Sequence, residues 1–438
     1  MAISGLAFSC KPQFSLRPSL FHCIRKARFG SVAAIETLDE PESLIKYNTY
    51  NSDDSPHKGN TSMIDKPTRK VLNGLKKKGY EVYLVGGCVR DLMLNRIPKD
   101  FDIITSAELK EVVRVFSQCE IVGKRFPICH VHFENTIVEV QTVIPASTSF
   151  QEDCARILRA IRIAARLGFR FSRETAHFVK HLSPSILKLD RGRLLMEMNY
   201  MLAYGSAEAS LRLLWKFGLL EVLLPIQAAY LVKHGFRRRD KRSNLLLSLF
   251  SNLDKLLAPD RPCHSSLWIA ILAFHKALSD QPRDPLVVAV FSLAVYNGGD
   301  MLEAVKIARR INKSHDESFC ELLEPRDLDF EALKHEVMDF AESSKGALSK
   351  MTDEYFVSQA MAGYSRAPFS DLVFIPLALY LKASKIFECV RGGGERRFAS
   401  KQGSKIDYES LAYGSPQEVR HTFARIVFDT VYPLDLTE

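Results

Sequence analysis

From Asp65 to Tyr80 the apolar positions Val71, Leu72 and Leu75 recur at helical spacing beside a Lys76-Lys77-Lys78 run, and Gly79 supplies a stop. A helix is expected there. The pattern then changes to the alternation of strands. EVYLV (81–85) reads as a strand, Gly86-Gly87 as a tight turn, CVRDLMLN (88–95) as a brief helix and FDIIT (101–105) as a second strand. A helix from Ala107 to Phe116 follows, and then CEIVG, ICHVHFE and TIVEVQ are three more strand candidates, ending near Thr142. From Phe150 onward the apolar spacing is three and four almost throughout, as in GRLLMEMNYMLAYG and SLWIAILAFHKAL. The expected architecture is α+β, a small mixed sheet in the N-terminal region followed by an all-α region.

Composition refines this picture at the ends of the chain. Its 438 residues are 46% hydrophobic, enough for more than one packing unit. No run of 18 or more apolar residues occurs, so no membrane span is expected. Residues 1–35 carry Lys11, Arg17, Arg25, Lys26 and Arg28, five serines and no acid before Glu36, the composition of an organelle transit peptide. A chloroplast is the expected destination, a mitochondrion the alternative. Without those five positive charges the formal charge falls from +9 to +4, which weakens any inference of a polyanionic partner from charge alone. Residues 36–63 read as a polar linker. The nine cysteines are scattered singly, with no C-x-x-C pair, and are expected to be reduced and mostly buried.

The chemistry concentrates between residues 83 and 105. On a strand, Asp100 and Asp102 would project from one face, and two carboxylates that close are unfavourable unless a cation lies between them. A hard, oxygen-seeking ion such as Mg²⁺ is the usual solution, and such ions accompany phosphates. The Gly86-Gly87 turn fits, because glycines ahead of a helix let backbone N–H groups approach phosphate oxygens without a Cβ between. Arg90 in the next turn could add a charge-assisted contact. Each element alone is ordinary: most glycine pairs between strand and helix are plain turns, and most Asp-x-Asp pairs are hydrated surface.

Together, however, Gly86-Gly87-Cys88-Val89-Arg90-Asp91 followed by Lys99-Asp100-Phe101-Asp102-Ile103-Ile104-Thr105 resembles the signature of the tRNA nucleotidyltransferase and bacterial-type poly(A) polymerase family. SFQEDCARILRAIRIAARLGFRF (149–171) is similar to the same family's neck segment. The resemblance implies a nucleotidyltransferase palm domain over 64–148, a neck and RNA-binding helical domain over 149–265 and a C-terminal helical region over 266–438. It implies catalytic and Mg²⁺-binding roles for Asp100 and Asp102, with phosphoryl transfer from ATP, or alternatively CTP, to an RNA 3′ end. It also implies nucleotide contacts from Gly86, Gly87, Arg90 and Asp91, and base pairing by Glu152, Asp153 and Arg156 in place of a template. Asp153 can accept from an exocyclic amine and Arg156 can donate to ring acceptors from one helix face. Arg159 belongs to the same implied nucleotide site, and Arg162 and Arg166 continue a basic stripe toward RNA; a solvated helix face is the ordinary alternative. Glu139 is the available third carboxylate, although a strand glutamate facing water is the more ordinary reading. Arg237, Arg238 and Arg239, in GFRRRDKRSN, are further RNA candidates, and the segment from there to Asp260 looks more like the poly(A) polymerases than the CCA-adding enzymes.

The chain departs from the family in one respect. Family members carry an Arg-Arg-Asp-Phe-Thr-Ile-Asn type motif between the last strand of the sheet and the neck helix. Here EVQTVIPASTSFQED passes from strand to neck in about ten residues, too few for that motif. Arg238-Arg239-Asp240 repeats only the letters, in the helical region. The resemblance therefore runs over residues 66–260 with an internal gap, and reduced polymerising activity, down to a non-catalytic RNA-binding form, is expected from that gap.

Overall fold

The computed structural model describes residues 63–93, 97–123, 127–133, 136–258, 261–355, 375–391 and 405–433, together with a two-residue parallel pairing of Ala7–Phe8 with Ala34–Ile35. Most of the transit-peptide segment, most of the 36–63 linker and the basic stretch RGGGERRFASKQG lie outside the described residues. Two units divide at Ser183–Pro184.

In the first unit, helix α1 (Lys66–Lys77) starts where the Asp65 side chain accepts from the Thr68 N–H at 2.8 Å, with Pro67 in its first turn. Its buried face, Val71 and Leu75, lies on the sheet core of Val82, Ile103, Val112, Cys129, Val131, Val138 and Val140. The sheet has five strands: β1 (Val82–Val85), β2 (Asp102–Thr105), β3 (Cys119–Val122), β4 (Ile128–Phe133) and β5 (Thr136–Thr142). Their spatial order is β1-β2-β5-β4-β3, with β2 and β5 parallel and every other pair antiparallel. It is the mixed sheet that the alternation predicts. Helices α2 (Gly87–Met93) and α3 (Leu109–Val115) connect its strands, and α4 (Ala146–Glu152), α5 (Ala155–Leu167) and α6 (Arg173–His181) follow it.

The second unit is helical. It comprises α7 (Arg191–Leu202), α8 (Ala207–Phe217), α9 (Leu220–Leu223), α10 (Pro225–Lys233), α11 (Leu245–Leu256) and α12 (Ser265–Asp280). These are followed by α13 (Pro285–Tyr296), α14 (Met301–Ala308), α15 (Phe330–Thr352), α16 (Leu377–Glu388), α17 (Tyr408–Tyr413) and α18 (Pro416–Val431). Trp268, Phe274, Phe291, Phe340, Phe387 and Phe423 are all buried at its centre, and burying six such side chains contributes on the order of 10 kcal/mol of transfer free energy. No described helix is long and apolar enough to cross a membrane.

The cysteine expectation fails at one pair. Cys119 and Cys129 are joined by a disulfide across the β3–β4 hairpin. In that hairpin Cys119 pairs with Val131 and Ile121 with Cys129, so the two cysteines are diagonal neighbours on one face, with Cα atoms 6.5 Å apart. Spacing in the sequence carries no trace of it, because register creates the proximity. Cys88, Cys154, Cys263, Cys320 and Cys389 are free thiols.

Candidate functional site

The candidate site forms where β1 ends, α2 begins and β2 starts. Val85, the last residue of β1, pairs with Asp102, the first of β2. Gly86 turns the chain with φ +77°, a conformation that costs an L-residue about 1–2 kcal/mol, and α2 begins at Gly87. A Cβ at Gly86 would stand 2.5 Å from Asp102 Oδ2. The turn and the acid are thus in direct apposition.

Strand β5 supplies the neighbour on the other side. Its parallel register sets Glu139 opposite Asp102, so the two carboxylates share one face of the sheet. His130 of β4 is paired with Glu139 in turn, and its Nε2 lies 3.9 Å from Glu139 Oε1. Burial first, then Glu139 and Asp100, push the Asp102 carboxyl from its ordinary 3.8 up to about 6. Asp102 is half-buried, whereas Asp100 is exposed and precedes the strand. The expectation of both acids on one strand is corrected here: the ladder begins at Asp102, and Pro98, with no N–H to donate, lies just upstream of Asp100. Asp100 still contributes its charge to the cluster. Cys88, beneath the turn, registers the same charges: burial mainly, with Asp102 and Asp100 adding to it, pushes its thiol up to about 11.

Because the folded-state value of Asp102 lies above the unfolded one, the folded state holds that proton between about pH 4 and pH 6. The stability so conferred is present at low pH and lost as pH rises through that window. In a chelator, Asp102→Asn is expected to match the parent chain near pH 4 and to exceed it at pH 7.5 by about 1 kcal/mol, once partial exposure is discounted. Urea unfolding of both proteins at the two pH values checks this. An equal difference at both would show that Asp102 feels no such crowding.

The neck residues are arranged differently from the single helix expected. Asp153, extended at φ −147°, breaks α4 from α5, and its Oδ1 accepts from the Ala155 N–H at 3.1 Å. Arg156 is not on a solvated stripe: it is 6% exposed, and its Nη1 donates to the Ser149 carbonyl (3.2 Å), to Ser149 Oγ (2.9 Å) and to Glu152 Oε2 (3.1 Å). Arg159, Arg162 and Arg166 are half-buried on α5, as is Asp91 on α2. The Arg90 side chain lies outside the described residues.

In the second unit, Arg238 stacks on Trp215, 4.0 Å from its ring centroid, and its guanidinium is held by Glu221 and the Trp215 carbonyl. Arg237 and Arg239 are exposed beside it.

A glycine turn faces an acidic residue and its register partner on a small mixed sheet, and the likeness to known proteins falls on this segment. Residues 82–156 match the family model described as the Poly A polymerase head domain, and residues 168–231 that described as a probable RNA and SrmB-binding site of polymerase A. Over residues 82–231 the chain is similar to poly(A) polymerases and CCA-adding enzymes. Poly(A) polymerase I of Escherichia coli O157:H7 is 28% identical over 244 residues, covering 39% of this chain and 52% of that protein. The CCA-adding enzyme of Geobacillus kaustophilus is 28% identical over 214 residues, covering 35% and 53%. The chain spans about half the length of these curated relatives. Since 39% of 438 residues is about 171, about 73 of the 244 positions aligned with the E. coli protein face no residue here. A solved structure, the Bacillus stearothermophilus CCA-adding enzyme in complex with CTP, aligns over 75% of this chain and 94% of that one, at 18% identity and a TM-score of 0.29.

Proposed function

We propose that this chain is a template-independent nucleotidyltransferase that adds AMP, or CMP and AMP, to RNA 3′ ends. The observation that carries it is Asp102, set against the Gly86 turn, register-paired with Glu139 and feeling the charge of Asp100, within the segment matching the polymerase head domain. Asp102, raised to about 6 by burial and by the charges of Glu139 and Asp100, offers with its register partner Glu139 the oxygen ligands that a hard divalent cation takes. Asp102, Glu139 and Asp100 would hold Mg²⁺. When bound, Mg²⁺ would neutralise charge on a triphosphate and stabilise the pyrophosphate leaving group.

The chain's own residues have separate tasks. Gly86, by lacking a Cβ, lets the Asp102 carboxylate come against the turn, and the backbone N–H groups from Gly87 onward at the start of α2 would meet phosphate oxygens. Arg156, fixed by Ser149 and Glu152, presents a pre-set guanidinium edge in a neck that would read the base, with Glu152 and Asp153 as acceptors. Arg159, Arg162 and Arg166 would carry the RNA or triphosphate charge along α5. We also propose that residues 1–35 deliver the chain to chloroplasts, with mitochondria as the alternative; a reporter fused to them that stayed in the cytosol would exclude both.

The test offers the processed chain a tRNA lacking its 3′ terminus and an oligo(A) primer, with each nucleoside triphosphate separately and Mg²⁺. A ladder with ATP on oligo(A) marks an adenylating enzyme, whereas addition to the truncated tRNA that stops after a defined number of CMP and AMP residues marks CCA addition. The roughly 73 relative positions without counterpart support slow turnover, so a version with the stretch restored is expected to be faster. RNA binding without incorporation by either form would leave a non-catalytic RNA binder.

A further inference from the structure

The second unit carries a cluster that no part of nucleotidyl transfer uses. His234 sits just past the C-terminal end of α10, and Cys320 and Glu321 lie in the connection between α14 and α15, 86 residues away in sequence. His234 Nε2 is 3.2 Å from Cys320 Sγ and 3.8 Å from Glu321 Oε1, and one ligand atom from each of the three residues lies within 4.8 Å of the others. In a tetrahedral zinc site such edges measure about 3.4–3.6 Å, and the two edges at His234 Nε2 lie within a few tenths of an ångström of that.

The surroundings orient each donor. His234 Nδ1 is 2.9 Å from the Tyr230 carbonyl, a contact only an N–H can make favourably, and this orientation turns Nε2 toward Cys320 and Glu321. The Tyr230 hydroxyl donates to Glu321 Oε1 at 2.7 Å, and burial, with Glu321 adding to it, pushes that phenol up so that it remains a donor. The Tyr230 ring packs against His234 on one side and against buried His275 on another, at centroid distances of 4.2 and 4.3 Å. Both His275 ring nitrogens are buried without a hydrogen-bond partner, and the residue is 2% exposed.

Charge makes the stronger case. The Glu321 side chain is 4% exposed, yet among the described residues its carboxylate faces no Lys or Arg within 4.0 Å, and the basic group beside it is the His234 imidazole. A buried carboxylate whose neighbours are a phenol, an imidazole and a thiol, with no permanently charged group beside it, is costly. A divalent cation that displaced the Cys320 proton would meet one carboxylate and one thiolate and leave the site neutral.

We propose that His234 Nε2, Cys320 Sγ and Glu321 carboxylate form a zinc-class metal site, tying the α14–α15 connection to the end of α10 and leaving a fourth position for water. A nitrogen, a thiolate and a carboxylate select a borderline-soft ion over Mg²⁺. Binding expels one proton, from Cys320, to solvent.

The experiment uses the full chain carrying Asp102→Asn, which disables the carboxylate cluster of the head domain, in excess Mg²⁺. Zinc is titrated against a chromophoric chelator, and Co²⁺ is substituted to look for a thiolate-to-cobalt charge-transfer band. The expected result is one tight zinc equivalent and a clear band. Cys320→Ser should remove the band and weaken zinc at least about 100-fold, Glu321→Gln should weaken it without removing the band, and Tyr230→Phe should cost about tenfold. Far-ultraviolet dichroism confirms that the variants fold, and Glu321→Gln, which keeps shape and removes charge, serves if Cys320→Ser does not. Zinc retained equally by parent and both variants, or a parent that binds none, overturns the proposal.

Discussion

Asp102→Asn is expected to lower nucleotide incorporation by about a thousandfold or more while leaving RNA affinity within about twofold of the parent chain. The substitution keeps size and hydrogen-bonding shape but removes the negative charge at the centre of the carboxylate cluster, where β2 meets both the Gly86 turn and Glu139. On the proposed reading RNA would be held by basic side chains away from Asp102, so its affinity is not expected to follow. Single-turnover incorporation of labelled ATP, paired with a filter-binding titration of the same RNA, separates the two quantities. If both fell together, the acid would be supporting the fold; if neither moved, chemistry would lie elsewhere.

Gly86→Ala carries the second large effect and reaches the same carboxylate from the opposite side. The new Cβ requires an unfavourable positive φ and would stand 2.5 Å from Asp102 Oδ2. Because the clashing atom is the end of a short side chain, the fold can relax by turning that carboxylate away, and the expected stability loss is about 1–2 kcal/mol. The catalytic cost is larger: displacing a reacting-centre ligand by about 1 Å costs on the order of 100-fold in turnover. A protein that melts only slightly early yet has lost about 99% of its activity is the expected phenotype. Normal turnover in a folded Gly86→Ala chain would mean that the apposition of turn and acid is incidental.

The strands and helices around these residues were legible from period alone, because each is short, half-buried and alternating, or amphipathic. The Gly86–Asp102 apposition was implied by the motif, since a turn between adjacent strands brings their ends together. The position of Glu139 was not. Whether a glutamate 37 residues downstream faces the acids depends on β5 pairing parallel to β2 in one register, and nothing within TIVEVQ encodes its partner. The same limit hid the Cys119–Cys129 link and the His234–Cys320–Glu321 cluster, whose members meet only through packing. Arg156 illustrates a different failure: counted by threes and fours it belonged to a basic stripe, but Ser149 and Glu152, across the break at Asp153, supply acceptors that let a guanidinium be buried.

On the proposed reading, Asp102 and its carboxylate neighbours grip a divalent cation in order to receive a nucleoside triphosphate. The most direct test is the binding of a non-hydrolysable ATP analogue by the parent chain, by Asp102→Asn and by Glu139→Gln, each in Mg²⁺ and in chelator. Tight binding is expected only for the parent in Mg²⁺, with both variants reduced to the weak level seen in chelator. Analogue affinity that is the same in all three proteins and indifferent to Mg²⁺ would contradict it.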